Sequence, residues 1–510
     1  RISAHALVQE YLNHHDHLYA LVTNGRSLRL LRDATRLTRL SYLEFNLERM
    51  MEEDLFVEFA ILFRTLHSTR MPEKHIEGDD SIIEYFHQES LASGSRIRER
   101  LSIAVEDSLK LLANGLLKHP KNTALREKVL NQHLDSKTFF LYLLRFIYRI
   151  LFLLVTEARH LIYPEDRDDD TERKRSIYFN YYSISRLIHL AAMQIYVDPR
   201  KTDLWRSLFT TFYLFEKSVF GQKLNINPLG SGLFSPDALG NLNAQNLDNK
   251  LLLKVLSRLV MFENENKQLV YVNYADLDVE EFGSVYEGLL EYDAIFNNHS
   301  GMPVFQFVKG SERTSSGSHY TPEELVKPLI DHSLKLLIQE KIKQNDPEKA
   351  LLSLKIADVS AGSGHILLSA ARKIALDLAR IRTGEDQPSP PSIRQATRDV
   401  ICNCIYGVDK NPLAVELCKV ALWLEAHNPG KPLNFLDHRI KCGDAIVGLV
   451  HKEELNNSIA SQAFKSMPDD DKKIASTFAK RNKTECSDKD QLSFSDLKQF
   501  DQFFQEINKN

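Results

Sequence analysis

Cysteine is scarce and unevenly placed. Cys402, Cys404, Cys418, Cys442 and Cys486 all fall in the last quarter of the 510 residues. An odd count confined to one end offers no disulfide framework. Cys402-Asn403-Cys404 has C-x-C spacing with no second pair or His partner nearby, so ordinary buried thiols in a reducing cytoplasm are expected rather than a structural metal. Charge of one sign is lacking too. The 65 Lys and Arg against 69 Asp and Glu leave a net charge of −4, which excludes a uniformly basic protein but allows a local basic cleft. The opening residues do not read as a secretory leader. The longest apolar run, Phe139 to Val155, is interrupted by Arg145 and Arg149. Those two lie four apart on one helix face, so a buried helix with a polar edge is expected, not a membrane span.

What is present is globular in kind, with 43% apolar and 26% charged residues. On a prior of about 150 residues per domain, the length suggests roughly three domains. Thr23-Asn24-Gly25-Arg26 between the short runs Leu18 to Val22 and Ser27 to Leu31 predicts a hairpin, with positive φ at both central positions of a type I′ turn. Arginines from Arg26 to Arg39 read as a solvated surface, with phosphate contact as the sharper alternative. From Tyr42 to about Val260 the apolar spacing is helical, as in Leu47, Met50, Met51, Leu55 and Phe59. Breaks are expected at Pro72 to Asp80, His119 to Asn122 and the exposed charged loop Pro164 to Arg175. No fixed repeat supports a solenoid. Asn225 to Leu247 reads as a long ordered loop or linker, Phe282 to Leu290 as a helix and Met302 to Lys309 as a β-like piece.

Chemistry-bearing segments follow. Thr321, Pro322 and Glu324 form a helix-start pattern, with the helix running to about Lys343. Leu354 to Val359 reads as a buried strand, Ser360-Ala361-Gly362-Ser363-Gly364 as a tight turn, and His365 as the start of a helix. Strand, glycine turn and helix N-terminus suit a polar or anionic ligand, because the first-turn N–H groups lack partners and glycine allows close approach. A dinucleotide fingerprint requires a third glycine where Leu367 stands, and no nucleoside-triphosphate loop is present. Val400 to Val408 is expected as a second strand ending at Asp409, an acid suited to ribose hydroxyls. Pro412 and Leu413 open another helix. A third element, Arg439 to Ile446, places Asp444 just past a short strand, where it is suited to the amino group of an adenine.

Tyr320-Thr321-Pro322, Asp358 to Gly364, Asp409 and Gly443-Asp444, in that order, resemble the cofactor-binding series of bacterial N6-adenine DNA methyltransferases. The likeness is to the large multidomain methylases of restriction-modification and phage-defence systems: restriction-methylase fusions, DISARM-type and phage-growth-limitation methylases. Thr23 to Arg26, Leu66 to Arg70 and Gly283 to Glu287 also look like segments of such proteins. The resemblance implies an α/β fold, with a large helical domain followed by a doubly wound, Rossmann-like S-adenosylmethionine-dependent methyltransferase domain, incomplete at the C-terminus. It implies the tail of a nuclease-like domain over 1–40, a helical domain over 41–310, the cofactor half over 311–450 and a polar helical insert over 451–510. Tyr320, Thr321 and Pro322 would line the methionine end, and Asp358, Ala361, Gly362 and Gly364 the cradle. Asp409 would hold the ribose, Pro412 or Leu413 would pack on the adenine, and Asp444 with Ala445 would address its N6 edge.

The sequence departs from the family in three ways. Ser360 stands where Pro is common. Asp409 lies 51 positions after Asp358, with Gln387 to Ser392 expected as an inserted loop. No Asp/Asn/Ser-Pro-Pro-aromatic tetrapeptide, the family's catalytic motif, occurs: Ser389-Pro390-Pro391-Ser392 and Asn227-Pro228-Leu229 do not qualify. With Arg1 in place of Met, these features lead to the expectation of a fragment that stops before its catalytic loop. The implied function is transfer of methyl from S-adenosylmethionine to a flipped adenine in double-stranded DNA, with no metal, in the cytoplasm, with further defence-system subunits as possible partners. The alternative is a truncated or split, non-catalytic module binding DNA or a partner. Protein-glutamine methylation and a dinucleotide dehydrogenase rank lower.

Overall fold

The computed structural model describes residues 4–15, 17–33, 42–71, 81–164, 168–192, 198, 200–229, 232–263, 269–275, 283, 292–299, 302–309, 321, 323–385, 388–426, 436–446, 464 and 472–489. Two units are distinguished, Arg1–Gly443 and Asp444–Asn510.

In the first unit, helix α1 (Ala4–His14) lies against β1 (Tyr19–Thr23), which pairs antiparallel with β2 (Ser27–Arg32), and β2 with β3 (Tyr42–Asn46). The hairpin is as expected but its turn is not type I′. Gly25 has φ +83°, whereas Asn24 is not in the left-handed region. Instead the Asn24 side-chain oxygen accepts from the Arg26 and Ser27 amides at 2.9 and 2.8 Å, closing a four-residue loop with an Asx turn. β3 corrects the expectation of helix from Tyr42 onward: Asn46 ends the strand and caps the next helix, accepting from Arg49 N. The arginines here are ion-paired, Arg26 with Glu48 at 3.4 Å, Arg29 with Glu44 at 2.7 Å and Arg32 with Glu84 at 2.7 Å. Arg36 and Arg39 of the same series lie outside the described residues.

Glu84 ties this sheet to the helices. Burial pushes its carboxyl up, but hydrogen bonds from Arg32, Tyr19 and Gln88 outweigh burial and hold it at about 2, below the ordinary 4.5. A depressed carboxylate contributes stability that is complete above its unfolded value and lost as pH falls through the folded one. Thermal unfolding between pH 4.5 and about 2 should therefore show an acid loss that Glu84→Gln flattens. An identical slope in wild type and variant would refute the assignment.

The helical region comprises α2 (Leu47–Glu52), α3 (Phe56–Leu66), α4 (Ile82–Lys118), α5 (Thr123–Leu130), α6 (Ser136–Ala158), α7 (Asp169–Tyr181), α8 (Ile184–Ala192), α9 (Asp203–Glu216), α10 (Ser218–Gly221) and α11 (Asn249–Val260). Strands β4 (Met261–Glu263) and β5 (Leu269–Tyr271) pair antiparallel after it, as do β6 (Tyr292–His299) and β7 (Met302–Lys309). The β-like reading of Met302 to Lys309 matches β7. α6, started by Asp135 accepting from Thr138 N at 2.8 Å, is the axis of this region. It is the one described helix long and apolar enough to cross a membrane, and most of it is buried inside the protein. Phe146 stacks on Trp205 at 4.9 Å, and Phe209 and Phe212 complete the cluster. Glu157 near the end of α6 serves as a remote cap for α8: it accepts from the amides of Ile184 and Ser185, the Ser185 hydroxyl and Tyr178 Oη.

One loop expectation is corrected. Asp168 caps α7 by accepting from Thr171 N at 2.8 Å, so 168–175 is a helix start favoured by the acids of its first turn, not a loop. Of the two readings of 225–247, the ordered loop holds and the linker does not, because Ile226, Leu229, Leu233, Phe234, Leu239, Leu242 and Leu247 are buried in the core. The break at His119 to Asn122 stands between α4 and α5, where the Asn122 side chain donates to Leu116 O and Asn246 O at 2.8 Å each. Pro72 to Asp80 lies outside the described residues, as does the Phe282 to Leu290 helix apart from Gly283, which is helical.

The rest of the first unit is α/β. Helices α12 (Glu323–Ile342) and α13 (Pro347–Leu352) lead into β8 (Ile356–Asp358), α14 (His365–Thr383), α15 (Pro390–Cys404), β9 (Ile405–Asp409), α16 (Pro412–Glu425) and β10 (Ile440–Cys442). The three strands form a parallel sheet in the order β10-β9-β8. Three sequence expectations change. The second strand begins only at Ile405. Val400 to Cys404 closes α15, whose Ala396, Thr397, Val400, Ile401 and Cys404 recur at helical steps and are buried. Pro390 and Pro391 are not an inserted loop but the first helical positions of α15, where a missing N–H is harmless. The long interval from Asp358 to Asp409 is therefore filled by two helices. β8 is only half-buried, with Ala357 exposed, as befits the edge of the described sheet. In the second unit, α17 (Lys472–Lys489) is a polar helix.

Candidate functional site

The parallel strands end at one turn cluster. After β8, Ala361 N donates to Val408 O at 2.9 Å, tying the glycine turn to the central strand. Gly362 and Gly364 have φ of +53° and +93°, where a side chain is strained. Gly364 lies against α16: a Cβ built there would be 2.7 Å from Cys418 Sγ. At Gly362, by contrast, a Cβ would meet no atom within 4 Å. The turn is thus packed from behind at Gly364 and open in front at Gly362. Burial, together with the nearby Asp358 and Asp409 carboxylates, pushes the Cys418 thiol far up, so it remains a neutral packing group.

Asp409 organises the site. One carboxylate oxygen accepts from Gly362 N and the other from Asn411 N, both at 2.8 Å, while its carbonyl accepts from Gly443 N at 2.9 Å. Asn411 in turn caps α16, accepting from Leu413 N at 3.0 Å. Each carboxylate oxygen retains a lone pair, so Asp409 can hold the turn and still accept from a ligand hydroxyl. Asp358 binds its own loop, accepting from Ser360 N at 3.0 Å.

Opposite the turn, His365 at the start of α14 donates from Nδ1 to the Thr321 carbonyl at 3.1 Å, the only role a carbonyl partner permits. Thr321 is thereby brought to the glycine turn. Tyr320 and Pro322 lie outside the described residues. Of the expected adenine-packing pair, Pro412 is exposed and Leu413 is buried at 1%, so only Pro412 presents a surface. Asp444 and Ala445 follow Gly443 directly in the chain, are exposed, and begin the second unit. Thr321, Asp358, Ala361, Gly362, Gly364, Asp409 and Pro412 therefore gather around one turn.

Sequence reasoning missed several supports. Gly407 in β9 permits the close helix-sheet contact that a third turn glycine makes in dinucleotide sites: its Cβ would fall 2.9 Å from Leu367 Cδ1 and 3.1 Å from Ala361 Cβ. Leu367 is accommodated because the gap lies on the neighbouring strand. Gly283 packs on the turn itself, since a Cβ there would be 2.1 Å from Ser363 Oγ. A glycine inside a strand pattern was the available signal for Gly407; contacts reaching from 283 to 363 left no local trace.

Residues 403–509 match the family described as Eco57I restriction-modification methylase. Over 503 residues, the chain is 21% identical to a protein of Methanocaldococcus jannaschii whose assignment as a type II restriction enzyme and methyltransferase is provisional; the match covers 87% of this chain and 39% of that protein. A solved structure of the type IIL restriction-modification enzyme MmeI in complex with DNA is matched at 17% identity and TM-score 0.37, over 68% of this chain and 38% of that one. The chain thus spans about two fifths of the length of these relatives. In sequence, this chain is thus similar to methyltransferases of restriction-modification systems.

Proposed function

We propose that this chain carries the S-adenosylmethionine-binding part of a site-specific DNA adenine-N6 methyltransferase. The carrying observation is the join between Asp409 and Gly362: an acid at the end of the second strand holds the glycine turn, whose open side faces away from the core. The β10-β9-β8 order with two helical crossovers is consistent with one half of a doubly wound, Rossmann-like sheet, whose ligand crevice lies at the carboxyl ends of the strands.

In this reading Asp358, Ala361, Gly362 and Gly364 cradle the methionine end together with Tyr320, Thr321 and Pro322. Asp409 accepts from the ribose hydroxyls, and Pro412 offers the adenine face a surface. When bound, the cofactor supplies an electrophilic methyl group. Residues 1–510 contain no Asp/Asn/Ser-Pro-Pro-aromatic tetrapeptide. The chain's share is therefore to bind and orient the cofactor, and flipping and methylation of adenine in DNA belong to the whole protein.

Gly362→Ala separates binding from folding. Its open surroundings leave only backbone strain, about 1 kcal/mol of stability, while the new methyl group enters the ligand's space. Calorimetric titration should show S-adenosylmethionine bound by the chain, NAD not bound, and affinity lowered roughly tenfold or more in the variant, equivalent to at least about 1.4 kcal/mol. Wild-type chain that binds NAD and not S-adenosylmethionine would overturn the proposal.

A further inference from the structure

The cofactor turn leans on α16, and α16 is held from outside by the helical region. Arg145 on α6 donates from Nε and Nη2 to the two oxygens of Glu416 on α16, at 3.1 and 2.9 Å. Farther along both helices, the Phe152 and Trp423 rings meet at 5.1 Å. The same interval, seven residues, separates the two contacts on each helix, so the helices run in the same general direction here and are bridged by their longer side chains. The ion pair is largely shielded, with side-chain exposures of 18% and 13%.

A loop seals this contact. A Cβ at Gly232 would lie 3.2 Å from Glu416 Cγ, so the loop backbone lies close over that side chain. One turn beyond Arg145, the buried Arg149 donates to Leu233 O and Ser235 O at 2.7 and 2.9 Å, holding the same loop in place. Glu416 lies between the two parts of α16 that touch the candidate site. Before it comes the Asp409 to Pro412 turn with its Asn411 cap, and after it Cys418, the floor beneath Gly364.

We infer that Arg145 is a positioning residue for the cofactor site, acting through Glu416 on the placement of α16. Interior packing does not deform continuously. A displaced α16 drives Cys418 Sγ into Gly364 or draws the Asp409 carboxylate away from the Gly362 amide. The helical region is thereby coupled to cofactor affinity without touching the cofactor. This inference rests on the S-adenosylmethionine reading above, and its test is arranged so that the two can fail separately.

Hydrogen exchange in the ligand-free chain reads the clamp directly, because the amides of Gly362, Asn411 and Leu413 are each bonded within the turn cluster. Arg145→Met and, as a milder change, Glu416→Gln should accelerate exchange at these three amides roughly tenfold or more, the signature of local opening. Both should weaken S-adenosylmethionine binding by a similar factor. Tyr274→Phe removes a buried hydrogen bond to Leu259 O far along the helical core; it should lower the unfolding temperature and leave these amides and the affinity unchanged. The reversed pair R145E/E416R should recover part of the protection. Unchanged exchange in both clamp variants, or equal acceleration in Tyr274→Phe, would overturn the inference. Absence of S-adenosylmethionine binding by the unaltered chain would instead overturn the cofactor reading, with the exchange comparison still deciding the clamp.

Discussion

Gly364→Ala should leave the α/β part of the chain unable to hold its turn, with a loss far greater than that of Gly362→Ala two residues away. Two separate effects add. The backbone at φ +93° is in a region that side chains adopt only with strain, worth about 1–3 kcal/mol. The new methyl carbon also falls 2.7 Å from Cys418 Sγ and 3.4 Å from Cys418 Cα, and overpacking of this kind costs a further 1–3 kcal/mol or so. The sulfur is fully buried in α16 and the Cα is backbone, so there is no flexible side-chain end to swing away. The two effects are separable by adding Cys418→Ala, which empties the sulfur's place and should recover the packing share alone. Denaturant unfolding of the single and double variants measures both. A Gly364→Ala chain as stable as the Gly362→Ala chain would show that the close approach to Cys418 does not exist.

Glu216→Gln should be similarly severe, in the helical region. Arg149 is fully buried, its guanidinium lying near the Phe212 and Phe234 rings at 5.3 and 5.1 Å, and Glu216 is its ionic partner. Burial already disfavours the charge on Arg149. Removing one partner of a buried pair leaves the other uncompensated, at a cost of about 3–5 kcal/mol. Replacing both groups with apolar ones often restores stability, but here the double variant R149M/E216L should recover only part. Leu233 O and Ser235 O would lose their donors, each worth about 1–3 kcal/mol when left buried and unsatisfied. Full recovery in the double variant would mean that those carbonyls reach water, contrary to the packing of the 232–239 loop. If the Arg145 clamp acts as inferred, Glu216→Gln should also weaken cofactor binding, because Arg149 fixes the loop that covers Glu416.

Much of the site was legible in one dimension because its parts are local. Asp358 to His365 can be read as strand, turn and helix from eight consecutive residues, since the glycines stand where positive φ is needed and the structure places it at Gly362 and Gly364. Pro412 behind Asn411 announces the start of α16 in the same way. Misreadings occurred where two periodicities overlap. Val400 to Cys404 is apolar enough for a strand, yet the spacing of Ala396, Thr397, Val400, Ile401 and Cys404 was already helical, and burial of that face decided for helix. Tyr42 to Asn46 became a strand through cross-strand partners, Glu44 with Arg29 and Leu43 with Leu30, that lie more than ten residues away in the chain.

The sequence by itself determined that the chain holds a glycine turn between a strand and a helix, acids at the ends of two later strands, and a long apolar helix with Arg145 and Arg149 on one face. Those properties follow from backbone freedom, capping and periodicity, which act over a few residues. Only the tertiary structure decided that Asp409 would spend its carboxylate on the glycine turn, that Gly407 would take over the packing role of a missing third glycine, and that Arg145 would reach across from the helical region to Glu416. Each of these is a contact between segments distant in the chain, fixed by which faces the core buries together rather than by any residue's own preference.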